Sequence, residues 1–75
     1  PGAVETPMLM KGLGRNASPH QALHKIIDST PLKRIAKPEE IAKLVYFLAD
    51  EQSSSNITGQ EFVCDGGVLA KLATE

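Results

Sequence analysis

The chain has 75 residues, of which 41% are hydrophobic and 4% aromatic, a composition that excludes disordered and collagen-like proteins. Its net charge is −1, which argues against a nucleic-acid partner because such proteins present a basic face. No apolar run approaches the roughly 20 residues that span a bilayer, so no membrane partner is expected.

The small size of the chain predicts that it depends on further protein for its stability. A chain of this length buries only about 60% of its unfolded surface, and small independent domains usually add disulfides, a metal or exceptional packing. This chain has one cysteine, no tryptophan, two phenylalanines and one tyrosine. The lone cysteine excludes an internal disulfide and fits a reducing, cytoplasmic compartment.

The first predicted helix begins at Pro7, with Thr6 as its N-cap and the proline at the first helical position. The apolar turn that follows is short, and we expect Gly12 and Gly14 to end it before a flexible link.

A second helix is predicted over 19–28. Ser18 is placed to cap it, Pro19 fits the first helical position, and Gln21 follows Ser18 by three residues, as in a capping box. The approach to Pro31 ends this helix, because a residue before proline avoids helical geometry.

The strongest helical pattern covers 38–50, where two glutamates in the first turn complement the helix dipole. Its apolar residues recur at the spacing of one helix face, at Ile41, Leu44, Val45 and Leu48. The polar run 52–56 is predicted as a loop. An apolar stretch then predicts a short strand over 61–65, closed by a sharp bend at Asp65-Gly66-Gly67.

The predicted order of three helices and one strand indicates an α/β protein that is larger than this chain. A single strand cannot form a sheet, because its backbone N–H and C=O groups need neighbouring strands. A free-standing three-helix interaction domain is disfavoured for the same reason, since strand 61–65 would be unpaired.

Two local patterns suggest chemistry, and each has a plainer interpretation. Residues 12–17 read G-x-G-x-x-A, a spelling of the dinucleotide fingerprint, but that fingerprint follows a strand and opens a helix. The stretch is better explained as a helix end and loop. His20 and His24 have a spacing that can bind metal, but no third ligand lies nearby, so no metal is expected. Cys64 lies in an apolar stretch and is expected to pack as a small core residue.

Several short blocks, each weak alone, stand in a specific order and spacing along the chain. They are Pro1–Met8, Arg34, Lys37–Ala42, Phe47–Ala49, Ile57–Gln60 and Asp65–Gly67. Together they resemble the C-terminal end of the short-chain dehydrogenase/reductase family, and the resemblance covers about residues 1–70.

The resemblance implies that the chain is the C-terminal segment of one Rossmann-type domain, a doubly wound parallel sheet that binds NAD(H) or NADP(H). Residues 1–36 would form a cofactor clamp and a helical substrate lid. Residues 37–75 would supply the last helix, the last strand and a tail. Members commonly form dimers or tetramers through that helix and strand, so a homotetramer joined by 38–50 and 61–65 is expected.

The same resemblance assigns roles to six residues near the N-terminus. The backbone at Val4 would contact the nicotinamide carboxamide, and the Thr6 hydroxyl would reach the carboxamide or the pyrophosphate. Pro1 and Gly2 would follow the sixth strand and complete the cofactor-binding set. The stretch that begins with Met8 and Leu9 would form the lid over an alcohol or carbonyl substrate.

The chain departs from the family where catalysis is concerned. The catalytic Tyr-x-x-x-Lys is absent, because the only tyrosine is Tyr46 and Asp50 stands four residues later. Tyr46 is expected to pack beside the apolar stripe. The chain would therefore belong to an enzyme that transfers hydride between a nicotinamide cofactor and an alcohol or carbonyl, and would be inactive alone. The alternative is an inert, truncated oligomerisation or regulatory module.

Overall fold

The computed structural model describes residues 1–72. Within them the chain forms α1 (Pro7–Gly14), α2 (Pro19–Ser29), α3 (Pro38–Ala49), α4 (Glu51–Ser54) and a 3₁₀ helix at Val68–Ala70. The only β pairing of the described part is an isolated parallel bridge between Val4 and Ala36. No helix in this range is long and apolar enough to cross a membrane.

Helix α1 begins as its local signals predict. The Thr6 Oγ1 atom accepts a hydrogen bond of 3.2 Å from the Leu9 N–H, and Pro7 occupies the first turn. Gly12 lies inside the helix, which ends at Gly14. The predicted end at these two glycines is therefore confirmed at Gly14, whereas Gly12 is tolerated inside the helix because one glycine costs a helix only about 1 kcal/mol. The G-x-G-x-x-A stretch starts in the last turn of a helix and follows no strand, which does not fit a phosphate loop.

Helix α2 begins at the predicted residue, but its predicted cap is wrong. The Ser18 side chain makes no capping hydrogen bond, so the capping box with Gln21 does not form. The reason is local backbone geometry: Ser18 has φ −138° and ψ 81°, outside the extended conformation typical of an N-cap. The C-terminal end is held by Thr30, whose hydroxyl donates to the Ile26 carbonyl oxygen at 2.8 Å.

Helix α3 ends one residue before the predicted limit, and the predicted polar loop after it contains a helical turn. Asp50 is the N-cap of α4. Its carboxylate accepts hydrogen bonds from the Gln52 N–H at 3.2 Å and from the Ser53 hydroxyl at 2.7 Å. The buried Ser54 donates its hydroxyl to the Leu48 carbonyl oxygen at 2.9 Å. These hydrogen bonds join α4 to the C-terminal end of α3.

The predicted strand 61–65 is not formed within the described residues, where 61–64 lie in neither helix nor strand. A strand exists only through pairing, and its contact here is one long hydrogen bond of 3.4 Å, from the Gly2 N–H to the Cys64 carbonyl oxygen. The predicted bend is present, with positive φ at Gly66 and Gly67. The predicted tail beyond residue 72 lies outside the described residues.

Little apolar surface is buried within residues 1–72. Leu13 is the one buried hydrophobic side chain in this range, whereas Val45 on the α3 stripe is 60% exposed and Tyr46 is 73% exposed. The expected packing of Tyr46 is therefore wrong for residues 1–72. Such a small core is poor support for an independent three-helix domain, because ordering the chain costs about 1.5 kcal/mol per residue.

Candidate functional site

A cleft of about 640 Å³ lies between the N-terminal segment 1–6 and helix α1. All six predicted site residues line it: Pro1, Gly2, Val4, Thr6, Met8 and Leu9. The cofactor and lid roles assigned to them stay predictions, but the chain brings the six to one concave surface. Asn16 also lines the cleft, and sequence reasoning missed it because a polar loop residue carries no local signal of its position.

The bridge to Ala36 determines which way the Val4 backbone faces. The Ala36 N–H donates to the Ala3 carbonyl oxygen at 3.0 Å, and the Glu5 N–H donates to the Ala36 carbonyl oxygen at 2.7 Å. Because Ala3 and Glu5 make these two bonds to Ala36, the N–H and C=O of Val4 point away from Ala36. Neither group makes a backbone hydrogen bond within residues 1–72. Val4 thus presents one free donor and one free acceptor, the pair that a planar carboxamide requires.

Thr6 combines a structural bond with a free donor. Its oxygen accepts the hydrogen bond from Leu9 at the start of α1, which leaves the hydroxyl proton able to donate to another group. In the first turn of α1, Pro7 has no N–H, and the Leu9 and Met10 N–H groups donate to Thr6. The Met8 N–H and the positive end of the helix dipole remain available there. An anionic group beside Thr6 would therefore be stabilised.

The side chains that line the cleft offer no proton-transfer chemistry. None of its lining residues has a charged or titratable side chain, and the polar side chains among them are Thr6 and Asn16. Met8 is 83% exposed, so its flexible thioether is available to cover a ligand. Away from Thr6 the walls of the cleft suit an uncharged, partly apolar group, and a general acid or base would have to come from residues outside the cleft.

The turn at Asp65-Gly66-Gly67 packs against the N-terminal segment at Gly2. The Asp65 carboxylate accepts hydrogen bonds from the Leu69 N–H at 3.0 Å and from the Gly67 N–H at 2.9 Å, and these bonds lower the pKa of Asp65. A Cβ atom at Gly2 would lie 3.1 Å from the Asp65 Cβ. Gly2 is therefore in close contact with the turn, which suits a residue without a side chain.

The other candidate groups lie outside this cleft. The rings of His20 and His24 meet edge to face with centroids 4.8 Å apart, and residues 1–72 contain no group of three side chains able to hold a metal ion. Cys64 is a free, partly buried thiol. Tyr46 and Asp50 do not line the cleft.

The family model and three relatives that match this chain are all described as reductases or dehydrogenases. The family model described as enoyl-(acyl carrier protein) reductase matches residues 1–69. The chain is 37% identical over 75 residues to the short-chain dehydrogenase/reductase bsc3 of Alternaria brassicicola, covering 100% of this chain and 26% of that protein. It is 41% identical over 69 residues to the 3-oxoacyl-acyl-carrier-protein reductase FabG of Thermotoga maritima, covering 92% of this chain and 25% of that protein.

A further relative acts on a different substrate class. The chain is 41% identical over 73 residues to a 3-alpha-(or 20-beta)-hydroxysteroid dehydrogenase of Mycobacterium bovis, covering 97% of this chain and 24% of that protein. The chain spans about a quarter of the length of these relatives.

Proposed function

Because the chain belongs to the short-chain dehydrogenase/reductase family, we propose that it is the cofactor clamp and substrate lid of an NAD(P)-dependent oxidoreductase. The complete enzyme would transfer hydride between NAD(H) or NADP(H) and an alcohol or carbonyl compound. The family implies a Rossmann fold, in which residues 1–36 would form the clamp and lid. Residues 37–75 would supply the last helix, the last strand and the tail.

The observation that carries this proposal is the free backbone of Val4 at the edge of the cleft. Its N–H would donate to the carboxamide oxygen of the nicotinamide, and its C=O would accept from the carboxamide nitrogen. The bridge to Ala36 holds both groups in place before a ligand arrives, which reduces the ordering cost of binding. The nicotinamide ring supplies or receives the hydride when it is bound.

The remaining cleft residues would orient the cofactor and exclude water. The Thr6 hydroxyl would donate to the carboxamide or to a pyrophosphate oxygen, close to the positive end of α1. The backbone of Pro1 and Gly2 would lie against the cofactor. Met8 and Leu9 would close over the substrate, and the uncharged wall favours an apolar or ring-bearing alcohol or ketone.

The cleft has no titratable side chain, and the catalytic Tyr-x-x-x-Lys that the family implies is absent from the 75 residues, so proton transfer would come from the rest of the enzyme. The 75 residues alone are therefore expected to be inactive. The same feature would fit the alternative, an inert oligomerisation or regulatory module. Nicotinamide nucleotide binding separates the two, because an inert module needs no free Val4 backbone pair and would bind neither NADH nor NADPH.

Assembly is part of the proposal. The apolar stripe of α3 and the segment 61–65 leave exposed side chains such as Val45, Phe62 and Val63. In a complete domain one face of α3 would cover the sheet. The outer face of α3 and segment 61–65 would meet their own copies across two-fold axes.

Replacing Thr6 with alanine should raise the dissociation constant of the cofactor about three- to tenfold in the full-length protein. The lost contact is one hydroxyl hydrogen bond, worth roughly 0.5–1.5 kcal/mol. Fluorescence titration with NADH and NADPH measures this directly. Thr6→Ser keeps both the hydroxyl and the cap and should bind as the wild type does. An unchanged dissociation constant with lower unfolding stability would show that Thr6 only caps α1.

A further inference from the structure

We propose that Glu40 is a positioning residue for the cofactor clamp and that it acts, together with Arg34, through Ala36 on the backbone of Val4. The inference rests on the proposed function and adds a residue outside the cleft to it. Glu40 would contact neither cofactor nor substrate. Its carboxylate would hold the segment that orients the two backbone groups used for binding.

The carboxylate of Glu40 ties together two points of the chain. Its Oε1 atom accepts a hydrogen bond of 2.9 Å from the Lys37 N–H and pairs with the Arg34 guanidinium. Residues 34 and 37 flank Ala36, so one side chain restrains both ends of this short segment. Ala36 is in turn the residue that bridges to Val4.

The bridge makes the position of Ala36 matter for binding. The Ala36 N–H and C=O bond to Ala3 and Glu5, and these two bonds turn the Val4 backbone groups outward. If the 34–37 segment shifted, Val4 would rotate with it. Misplacing a binding group even slightly weakens its contacts, so loosening this segment should be seen in ligand affinity.

The Arg34–Glu40 ion pair is better suited to positioning the 34–37 segment than to stabilising the whole fold. The Glu40 and Arg34 side chains are 38% and 47% exposed, and partly exposed ion pairs contribute little to the free energy of unfolding. The Lys37 N–H and the Arg34 guanidinium lower the pKa of Glu40, so its carboxylate stays ionised at more acidic pH than that of an ordinary glutamate. The first turn of α3 adds a favourable dipole.

Glu39 offers a matched control in the same helical turn. It is acidic and exposed and stands at the same helix N-terminus, but its carboxylate makes no hydrogen bond or ion pair within the described range. Replacing it removes the same charge from the same dipole without releasing Ala36.

The test measures cofactor dissociation constants and unfolding stability for variants of the full-length protein. Glu40→Ala and Arg34→Ala should each raise the dissociation constant of NADH or NADPH about three- to tenfold. Because Arg34 acts through the Glu40 carboxylate, the double variant should bind no more weakly than Glu40→Ala alone. Glu39→Ala should bind as the wild type does. If Glu40→Ala does not fold, Glu40→Gln decides the question with an expected rise of about threefold.

The outcomes separate this inference from the proposed function. If the wild type binds the nucleotide and Glu40→Ala binds it with the same dissociation constant, this inference is overturned, whatever the stability of the variant. The proposed function would stand, and Glu40 would be only a helix cap. Independent effects that multiply in the double variant would also overturn this inference. A wild-type protein that binds neither nucleotide would overturn the proposed function and this inference with it.

Discussion

Gly66→Ala should lower the free energy of unfolding of the full-length protein by about 3 kcal/mol. Gly66 has a φ of +67°, and an added Cβ would lie 2.7 Å from the Thr30 Cγ2 atom. The left-handed conformation alone costs a side chain about 1–2 kcal/mol. Thr30 is buried and tied to the Ile26 carbonyl oxygen, so it cannot move aside cheaply. Chemical denaturation measures the difference.

Gly59→Ala is the matched control for that substitution. Gly59 has a nearly identical φ of +70°, but nothing lies within 4 Å of an added Cβ. It should cost only the conformational penalty, about 1–2 kcal/mol. The difference between the two variants isolates the close contact of the turn with Thr30. Equal losses would contradict that contact.

Val63→Lys should reduce the oligomer of the full-length protein to a smaller species and lower its Tm by several degrees. Val63 is 61% exposed in the middle of the apolar run 62–64, and we propose that segment 61–65, which contains this run, joins two copies at a sheet edge. A lysine there would place a charge in the interface, and lysine is also what natural edges use to prevent pairing.

Light scattering and thermal unfolding measure these effects, and Gln60→Lys is their control. Gln60 is exposed and lies just outside the segment, so the same added charge should leave both the oligomer and Tm unchanged. An oligomer of wild-type size in Val63→Lys would remove segment 61–65 from the proposed interface.

Helix starts were the most predictable part of this chain. The Thr6-Pro7 and Lys37-Pro38 steps place α1 and α3 because a cap or a proline acts within a single turn. Asp50, with Ser53 three residues later, is also a capping signal in the sequence. The prediction misses it because the polar run 52–56 is typical of a loop. The Ser18 cap failed because the preceding loop sets its backbone angles, which no residue type reveals.

Features that depend on distant partners could not be predicted locally. The stretch 61–65 reads as a strand, but strand structure needs neighbours that residues 1–72 do not supply. The free backbone of Val4 depends on Ala36, far along the chain, and no local pattern links the two. The resemblance to the family predicts a binding role for Val4, and the bridge to Ala36 would give that role its physical basis.

The most direct test of the cofactor clamp is the dissociation constant of NADH and NADPH for Val4→Pro in the full-length protein. Proline removes the Val4 N–H, which makes no backbone hydrogen bond within the described range, and it tolerates an extended backbone. We expect affinity to fall about tenfold, the effect of roughly one lost hydrogen bond. Val4→Ala keeps the N–H and should bind almost as the wild type does. Wild-type affinity in Val4→Pro would contradict the proposed role of the Val4 N–H.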